Sequence, residues 1–172
     1  PGGTFTHALY MHDAQNLFDP NAFHGGWKLD QAIGDQALLV VGLDNTSARF
    51  EEYTHTTDII SGQTYGGRSD DYAALVADVR AQMEDRYGAA GTTGVMGSSL
   101  GGLVSFLIAD AQPGQWDAAL SLSGTMGWGS IGTDNDTVLD LYAAAGHRGT
   151  ALFLDSGGSG TCTDADGDGL QD

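Results

Sequence analysis

The sequence predicts an α/β fold, with a doubly wound and mostly parallel sheet. Three observations carry this prediction: five short apolar runs resemble buried strands, helical segments lie between them, and a glycine-flanked serine joins one run directly to a helix. The near-continuous apolar run of residues 37–43 is typical of a parallel strand covered on both faces. A chain of 172 residues buries one sizeable core, so residues 1–172 are expected to form a single domain.

Two predicted strands open the chain. Residues 5–11 form an apolar run that ends where the polar residues 12–16 begin, and residues 37–43 form the second run. A short helix is expected between them over residues 27–34, because its apolar residues share one helical face. Residues 44–67 are rich in Thr, Gly and Asp and have no sustained period, which predicts a long loop.

The clearest helix is predicted over residues 69–87. Its apolar residues follow the i, i+3, i+4, i+7 spacing of one face: Tyr72, Leu75, Val76, Val79 and Met83. Asp70 and Asp71 suit the positive end of the helix dipole in the first turn. Ser69 suits the N-cap, and Gly88 suits the position that follows the last turn.

The second half of the chain continues the alternation of strands and helices. A strand over residues 93–96 runs into a helix over residues 100–109, and a strand follows over residues 117–123. A further helix is predicted over residues 137–145, and the last strand over residues 150–155. In a parallel sheet of this kind, ligands bind at the carboxyl ends of the strands.

The serine turn is the strongest functional signal. Ser99 has glycine at both i−2 and i+2, Gly97 and Gly101, and lies between a strand and a helix, whereas Ser98 lacks this symmetry. This context is typical of a nucleophile elbow, and the first helical amide, that of Leu100, is a donor for a developing oxyanion. A glycine-rich turn with a serine cap is the alternative.

A second oxyanion donor is expected from the loop after the first strand. Its amides near Gln15 would face that of Leu100 if the two strands are close neighbours in the sheet.

The sequence also resembles a known family. Residues 10–20 (Tyr-Met-His-Asp-Ala-Gln-Asn-Leu-Phe-Asp-Pro) and residues 95–102 (Val-Met-Gly-Ser-Ser-Leu-Gly-Gly) resemble the Putative esterase family of α/β-hydrolases, as do Trp27, residues 40–45 and residues 49–53. That family includes esterase D-like, feruloyl and enterochelin esterases and the antigen 85 acyltransferases. The resemblance implies an α/β-hydrolase fold and a Ser–acid–His triad that hydrolyses carboxylic esters without an organic cofactor.

The remaining triad members are harder to assign. The resemblance implies an acid at the end of the last strand, which is Asp155, with Asp164 as a competitor in the loop beyond it. In this fold the histidine follows the acid, yet all five histidines precede Asp155: His7, His12, His24, His55 and His147. We therefore expect a partial chain that lacks the segment carrying the base and the early strands of the family.

Candidate substrate-binding residues are His12, Trp27 and Trp128, and His24 is a further residue that would line the site. For each tryptophan, packing in the core is the alternative.

The chain ends in a regular series of aspartates. Asp164, Asp166, Asp168 and Asp172, with the backbone carbonyl of Leu170, match the start of a calcium loop, because alternate carboxylates turn toward one centre. The stretch resembles the calcium loops of thrombospondin type 3 and dockerin repeats. A solvated acidic tail is the alternative.

The charge of the chain excludes several partners. With six basic and 23 acidic residues, the net charge is −17, which repels nucleic acids and anionic membranes. No apolar run is long enough to span a membrane, and the lone Cys162 forms no internal disulfide. A calcium site of moderate affinity favours a secreted or periplasmic location.

The sequence therefore predicts a serine carboxylic ester hydrolase with a structural Ca²⁺, acting on a small-molecule or carbohydrate-linked ester. The alternatives are an inactive calcium-binding module with the hydrolase fold and an acyltransferase that uses the same serine.

Overall fold

The computed structural model describes residues 4–22 and 26–156. In chain order the elements are β1 (His7–His12), a 3₁₀ turn (Ala14–Asn16), α1 (Leu29–Ile33), β2 (Leu38–Leu43), α2 (Arg49–Glu52), β3 (Thr57–Ile60), β4 (Gln63–Gly66), α3 (Ser69–Tyr87), β5 (Thr92–Ser98), α4 (Leu100–Ala111), β6 (Ala118–Leu122), α5 (Val138–Ala145) and β7 (Ala151–Asp155). All five predicted strands are present, which confirms the α/β fold.

A parallel sheet of five strands, in the order β2-β1-β5-β6-β7, organises the fold. The chain moves from β1 to β2 in one direction and then returns to place β5 on the other side of β1. This reversal creates a switch point between β1 and β5, where α/β proteins bind ligands at the carboxyl edge. At that edge, Ser98 of β5 is in register with Leu122 of β6, which is in register with Asp155 of β7.

The predicted long loop over residues 44–67 is wrong in detail. This stretch forms α2 and an antiparallel hairpin of β3 and β4. The hairpin turns at Ser61 and Gly62, which both have positive φ angles, of 52° and 79°, as a two-residue hairpin turn requires. Elements of four residues are too short to show a period in sequence, so this segment looked irregular.

Helix α3 spans the predicted residues, with small differences at its surface and start. Tyr72 and Val76 are buried as expected, whereas Leu75 is 52% exposed. Arg68, rather than Ser69, occupies the N-cap, and Gly88 ends the helix with a φ of 90°.

Helix α4 forms the centre of the core. Its residues from Leu100 to Ala109 are all buried, and it packs on β5 and β6 and contacts both α3 and α5. A Cβ at Gly102 would lie 2.3 Å from Oγ of Ser121 on β6, so glycine permits this close packing of helix and sheet. No helix among the described residues has the length and apolar character needed to cross a membrane.

The hairpin is tied to the segment between β6 and α5 by a buried carboxylate, Asp58. Its oxygens accept five hydrogen bonds, from the N–H groups of Ile59, Gly129, Ile131 and Gly132 and from the hydroxyl of Thr133. Burial opposes the charge of Asp58, but the backbone N–H groups outweigh it and lower the pKa to about 2.

Candidate active site

Ser99 stands in a strained conformation at the junction of β5 and α4. Its φ of 55° and ψ of −126° lie outside the regions that L-residues ordinarily adopt. The surroundings hold it there: its N–H donates to the carbonyl of Leu122 at 3.1 Å, and its carbonyl accepts from Gly102, Leu103 and Thr125 at 3.0–3.2 Å. The side chain is exposed, so this conformation presents the hydroxyl to solvent.

The flanking glycines are required by the tight turn. A Cβ at Gly97 would lie 2.6 Å from the carbonyl carbon and oxygen of Gly101, and one at Gly101 would lie 3.0 Å from Oδ2 of Asp13. Glycine is therefore needed at both positions, because the backbone there closely approaches the rest of the elbow and the loop after β1.

A pocket of about 670 Å³ opens beside Ser99 at the switch point of the sheet. Its lining residues follow the carboxyl ends of β1, β2 and β5, and all except Trp27 have a polar or charged side chain: Asp13, Gln15, Asn16, Trp27, Asn45, Arg49, Ser98 and Ser99. Of the residues predicted from sequence, the structure thus brings Ser99, Gln15 and Trp27 together.

The two predicted oxyanion donors belong to first turns of helical segments. Leu100 is the first residue of α4, and Gln15 lies in the 3₁₀ turn that follows β1. First-turn N–H groups have no acceptor within their own helix, so these two are suited to a ligand oxygen. Since β1 and β5 are adjacent, the two turns leave the sheet side by side.

Sequence reasoning missed the charged network in the wall of the pocket. The carboxylate of Asp13 accepts from Nε and Nη2 of Arg49 at 2.7 and 2.8 Å and from Nδ2 of Asn45 at 2.5 Å. Asp13 is 4% exposed and has a φ of 59° directly before the 3₁₀ turn. Both Asn45 and Arg49 follow β2, so the position of Asn45 just after a strand was the available signal.

The environment of Arg49 keeps it charged. Burial opposes the charge, but the hydrogen bonds and the negative charge of Asp13 outweigh it and raise the pKa of Arg49 above its usual value. The guanidinium also lies over the ring of Tyr53, 5.1 Å from its centroid.

The prediction that His12 binds substrate is wrong. The side chain is fully buried, with Nδ1 3.0 Å from the hydroxyl of Tyr72 and its ring packed against those of Tyr53 and Tyr72. Burial lowers the pKa of His12 to about 4, so the imidazole is neutral at pH 7. As the last residue of β1 it alternates into the core, while the next residue, Asp13, reaches the pocket.

Trp128 is also misplaced by the sequence prediction. It is 1% exposed, its indole N–H donates to the carbonyl of Thr56 at 2.8 Å, and its ring packs on Phe50. It joins the hairpin region to the segment after β6, which is the core role that was its alternative.

The predicted acid, Asp155, lies at the carboxyl end of the sheet. It ends β7 two strands from β5, which corresponds to roughly 10 Å. Its exposed carboxylate accepts from the N–H of Ser123 at 2.8 Å and is not part of the pocket lining. Asp164, its competitor, lies outside the described residues.

No histidine of residues 4–22 and 26–156 lines the pocket. His7 contacts Thr92 at 2.5 Å near the amino ends of β1 and β5, Nε2 of His55 lies 2.8 Å from the carbonyl of Asp136, and His147 precedes β7. His24 lies outside the described residues. Among the described residues, therefore, no histidine is placed as the base of the predicted triad.

The predicted calcium ligands, Asp164, Asp166, Asp168, Leu170 and Asp172, also lie outside the described residues. Within the part of the chain that the structure describes, no group of three or more His, Cys, Asp or Glu side chains could hold a metal ion.

The fold and the pocket together define an α/β-hydrolase type of protein, with a serine elbow at the carboxyl edge of a parallel sheet. The family described as Putative esterase matches residues 1–169, and the chain belongs to this family of hydrolases. No curated protein gives a significant match.

Solved structures share the fold. Siderophore hydrolase EstA from Aspergillus nidulans aligns with a TM-score of 0.61 and 18% identity over 87% of this chain and 56% of its own. An IroE-like serine hydrolase from Shewanella oneidensis aligns with a TM-score of 0.61 and 20% identity over 74% and 43%. The enterobactin esterase FES from Shigella flexneri gives a TM-score of 0.59 and 16% identity over 84% and 38%. The chain thus spans about half or less of the length of these relatives.

Proposed function

We propose that Ser99 is the nucleophile of a serine carboxylic ester hydrolase that acts through an acyl-enzyme. The observation that carries the proposal is the conformation of Ser99: a positive φ of 55° at a strand-to-helix junction, with an exposed side chain that lines the pocket. Such strain persists only where surrounding contacts enforce it, and it is typical of functional sites.

The pocket residues suit each step of acyl transfer. Oγ of Ser99 attacks the ester carbonyl carbon, the C=O electron pair moves to oxygen, and the N–H groups of Leu100 and Gln15 stabilise that oxyanion. Collapse of the intermediate breaks the bond to the alcohol, which leaves with a proton, and water then releases the acid. In this proposal Asp155 orients a histidine that transfers these protons.

The pocket supports a small-molecule ester as substrate, because it combines polar groups with an aromatic surface. Amide, carboxylate and guanidinium groups surround Ser99, and Trp27 provides one aromatic surface. Two of the structural relatives are described as a siderophore hydrolase and an enterobactin esterase. Acyl transfer to a sugar hydroxyl would use the same acyl-enzyme and is distinguished by product analysis.

A fluorophosphonate probe tests the nucleophile in the full-length protein, because it reacts with an activated serine. We expect labelling of the wild type and its loss in Ser99→Ala. Ser61→Ala is a matched control, since Ser61 is also exposed with a positive φ but lies in the β3–β4 turn. Equal labelling of Ser99→Ala and wild type would contradict the assignment, and an unlabelled wild type would favour the inactive module.

The Ca²⁺ site also remains a proposal, supported by the alternate spacing of Asp164, Asp166 and Asp168. Isothermal titration of the wild type with Ca²⁺ is expected to show binding that Asp166→Ala and Asp168→Ala weaken. Equal heats for all three proteins would dismiss the site, and with it the reason to expect a secreted or periplasmic location.

A further inference from the structure

A buried negative charge lies beside the proposed oxyanion site. Asp13 lines the same pocket as Ser99 and Gln15 and directly precedes the turn that carries Gln15. Its Oδ2 also packs against the first turn of α4, 3.0 Å from where a Cβ on Gly101 would lie.

This arrangement raises an electrostatic problem for ester hydrolysis. The transition state places negative charge on the substrate oxygen, and an unbalanced carboxylate nearby would repel it, the more so because Asp13 is 4% exposed and poorly screened by water. Donors aimed at the oxyanion would lose part of their effect.

Arg49 is placed to cancel that charge. It binds both carboxylate oxygens of Asp13, through Nε at 2.7 Å and Nη2 at 2.8 Å, and it is the one basic residue among the described residues that line the pocket. Asn45 adds a hydrogen bond to Oδ1 but no charge.

We propose that Arg49 is a positioning residue for the reaction, which acts through Asp13 by neutralising its carboxylate and by holding the oxyanion turn in place. The inference rests on the proposed function, because it concerns charge that develops only during attack by Ser99. If Arg49 acts in this way, the reaction rate depends on whether a substitution leaves a negative or a positive charge. A purely structural ion pair would show no such dependence.

Three variants distinguish a residue that balances the charge of Asp13 from one that only stabilises the fold. Arg49→Gln leaves the negative charge of Asp13 unbalanced, whereas Asp13→Asn leaves the positive charge of Arg49, which attracts an oxyanion. Arg49→Lys keeps the charge but cannot reproduce the two-pronged contact of guanidinium with carboxylate. A purely structural pair would be damaged by all three changes, with no dependence on sign.

The test measures second-order rates of fluorophosphonate labelling in the full-length protein, below the thermal transition of every variant as followed by circular dichroism. We expect Arg49→Gln to react at least about ten-fold more slowly than the wild type, and both Arg49→Lys and Asp13→Asn to react several-fold faster than Arg49→Gln. Equal rates for the three variants would overturn the inference while leaving Ser99 as nucleophile. An unlabelled wild type would instead overturn the proposed function on which the inference rests.

Discussion

Asp58 offers a sharp test of how the fold is held together beyond the sheet. Replacing it with asparagine keeps the size of the side chain but removes the charge and turns one acceptor into an NH₂ group. That group would face donors that now bind the carboxylate: the N–H groups of Gly129 and Ile131 if it replaces Oδ2, or the N–H groups of Ile59 and Gly132 and the hydroxyl of Thr133 if it replaces Oδ1. Since Asp58 is fully buried, water cannot replace the lost acceptor easily.

The lowered pKa of Asp58 gives the size of the cost. The pKa of Asp58 falls from 3.8 to about 2 on folding, and because each pH unit is worth ~1.4 kcal/mol, the carboxylate contributes about 2 kcal/mol at pH 7. We therefore expect Asp58→Asn to lower the free energy of unfolding by about 2 kcal/mol at pH 7.

The pH dependence gives the prediction its sign. A carboxylate with a lowered folded pKa stabilises fully above its unfolded pKa, and the contribution disappears as the pH falls through the folded pKa. The difference between wild type and Asp58→Asn should thus shrink to about 1 kcal/mol at pH 3 and vanish below about pH 2.

Urea denaturation of the full-length proteins at pH 7 and pH 3 measures both quantities. The matched control is Asp134→Asn, an exposed aspartate in the segment after the Asp58 contacts, which should change stability by less than about 0.5 kcal/mol at either pH. Two results would refute the reasoning: equal stability of Asp58→Asn and wild type at pH 7, or a difference that does not decrease at pH 3.

Two further predictions concern the surroundings of the pocket. The pKa of His12 falls from 6.5 to about 4 on folding, so the unfolded chain binds the proton at a higher pH than the folded one. The free energy of unfolding should therefore fall by about 3 kcal/mol between pH 7 and pH 4. Urea denaturation should show that His12→Gln loses this decrease, and the same pH dependence in His12→Gln and wild type would contradict the prediction. Gly101→Ala should slow fluorophosphonate labelling by about ten-fold or more, since its Cβ would press on Asp13 and displace the oxyanion turn. Gly127→Ala is the control, because a Cβ there meets nothing within 4 Å, and similar rates for both glycine variants would refute the steric argument.

The sequence predicted those parts of the fold that depend on local pattern. The five strands show as apolar runs, α3 as a long periodic stretch, and the elbow as glycines on either side of Ser99. Each of these patterns is contained in a short segment of the sequence, and each depends on one face of a helix or strand or on one turn. Gln15 was located for a related reason, because polar residues after a parallel strand gather at the same edge of the sheet.

The residues that sequence reasoning misplaced depend on contacts between distant segments. Asp13 and Arg49 are 36 positions apart and meet only because β1 and β2 are neighbours. His12 is buried by Tyr53 and Tyr72, the second of which comes from α3, 60 positions later. The role of a polar residue at a strand end depends on such partners. Sequence periodicity does not predict them, because they come from distant segments.

The strand order fixes which segments meet at the pocket. Because β1 is adjacent to β5, the turn that carries Gln15 and the Ser99 elbow leave the sheet side by side. Strand β2 lies on the other side of β1, and Arg49, in the segment that follows β2, lines that side of the pocket. Asp155 ends β7 on the opposite side of β5, two strands or roughly 10 Å away along the sheet, and its carboxylate accepts from the N–H of Ser123. In the proposed mechanism, an imidazole between Ser99 and Asp155 would accept from the hydroxyl of Ser99 and donate to Asp155, which is the orienting role proposed for this carboxylate.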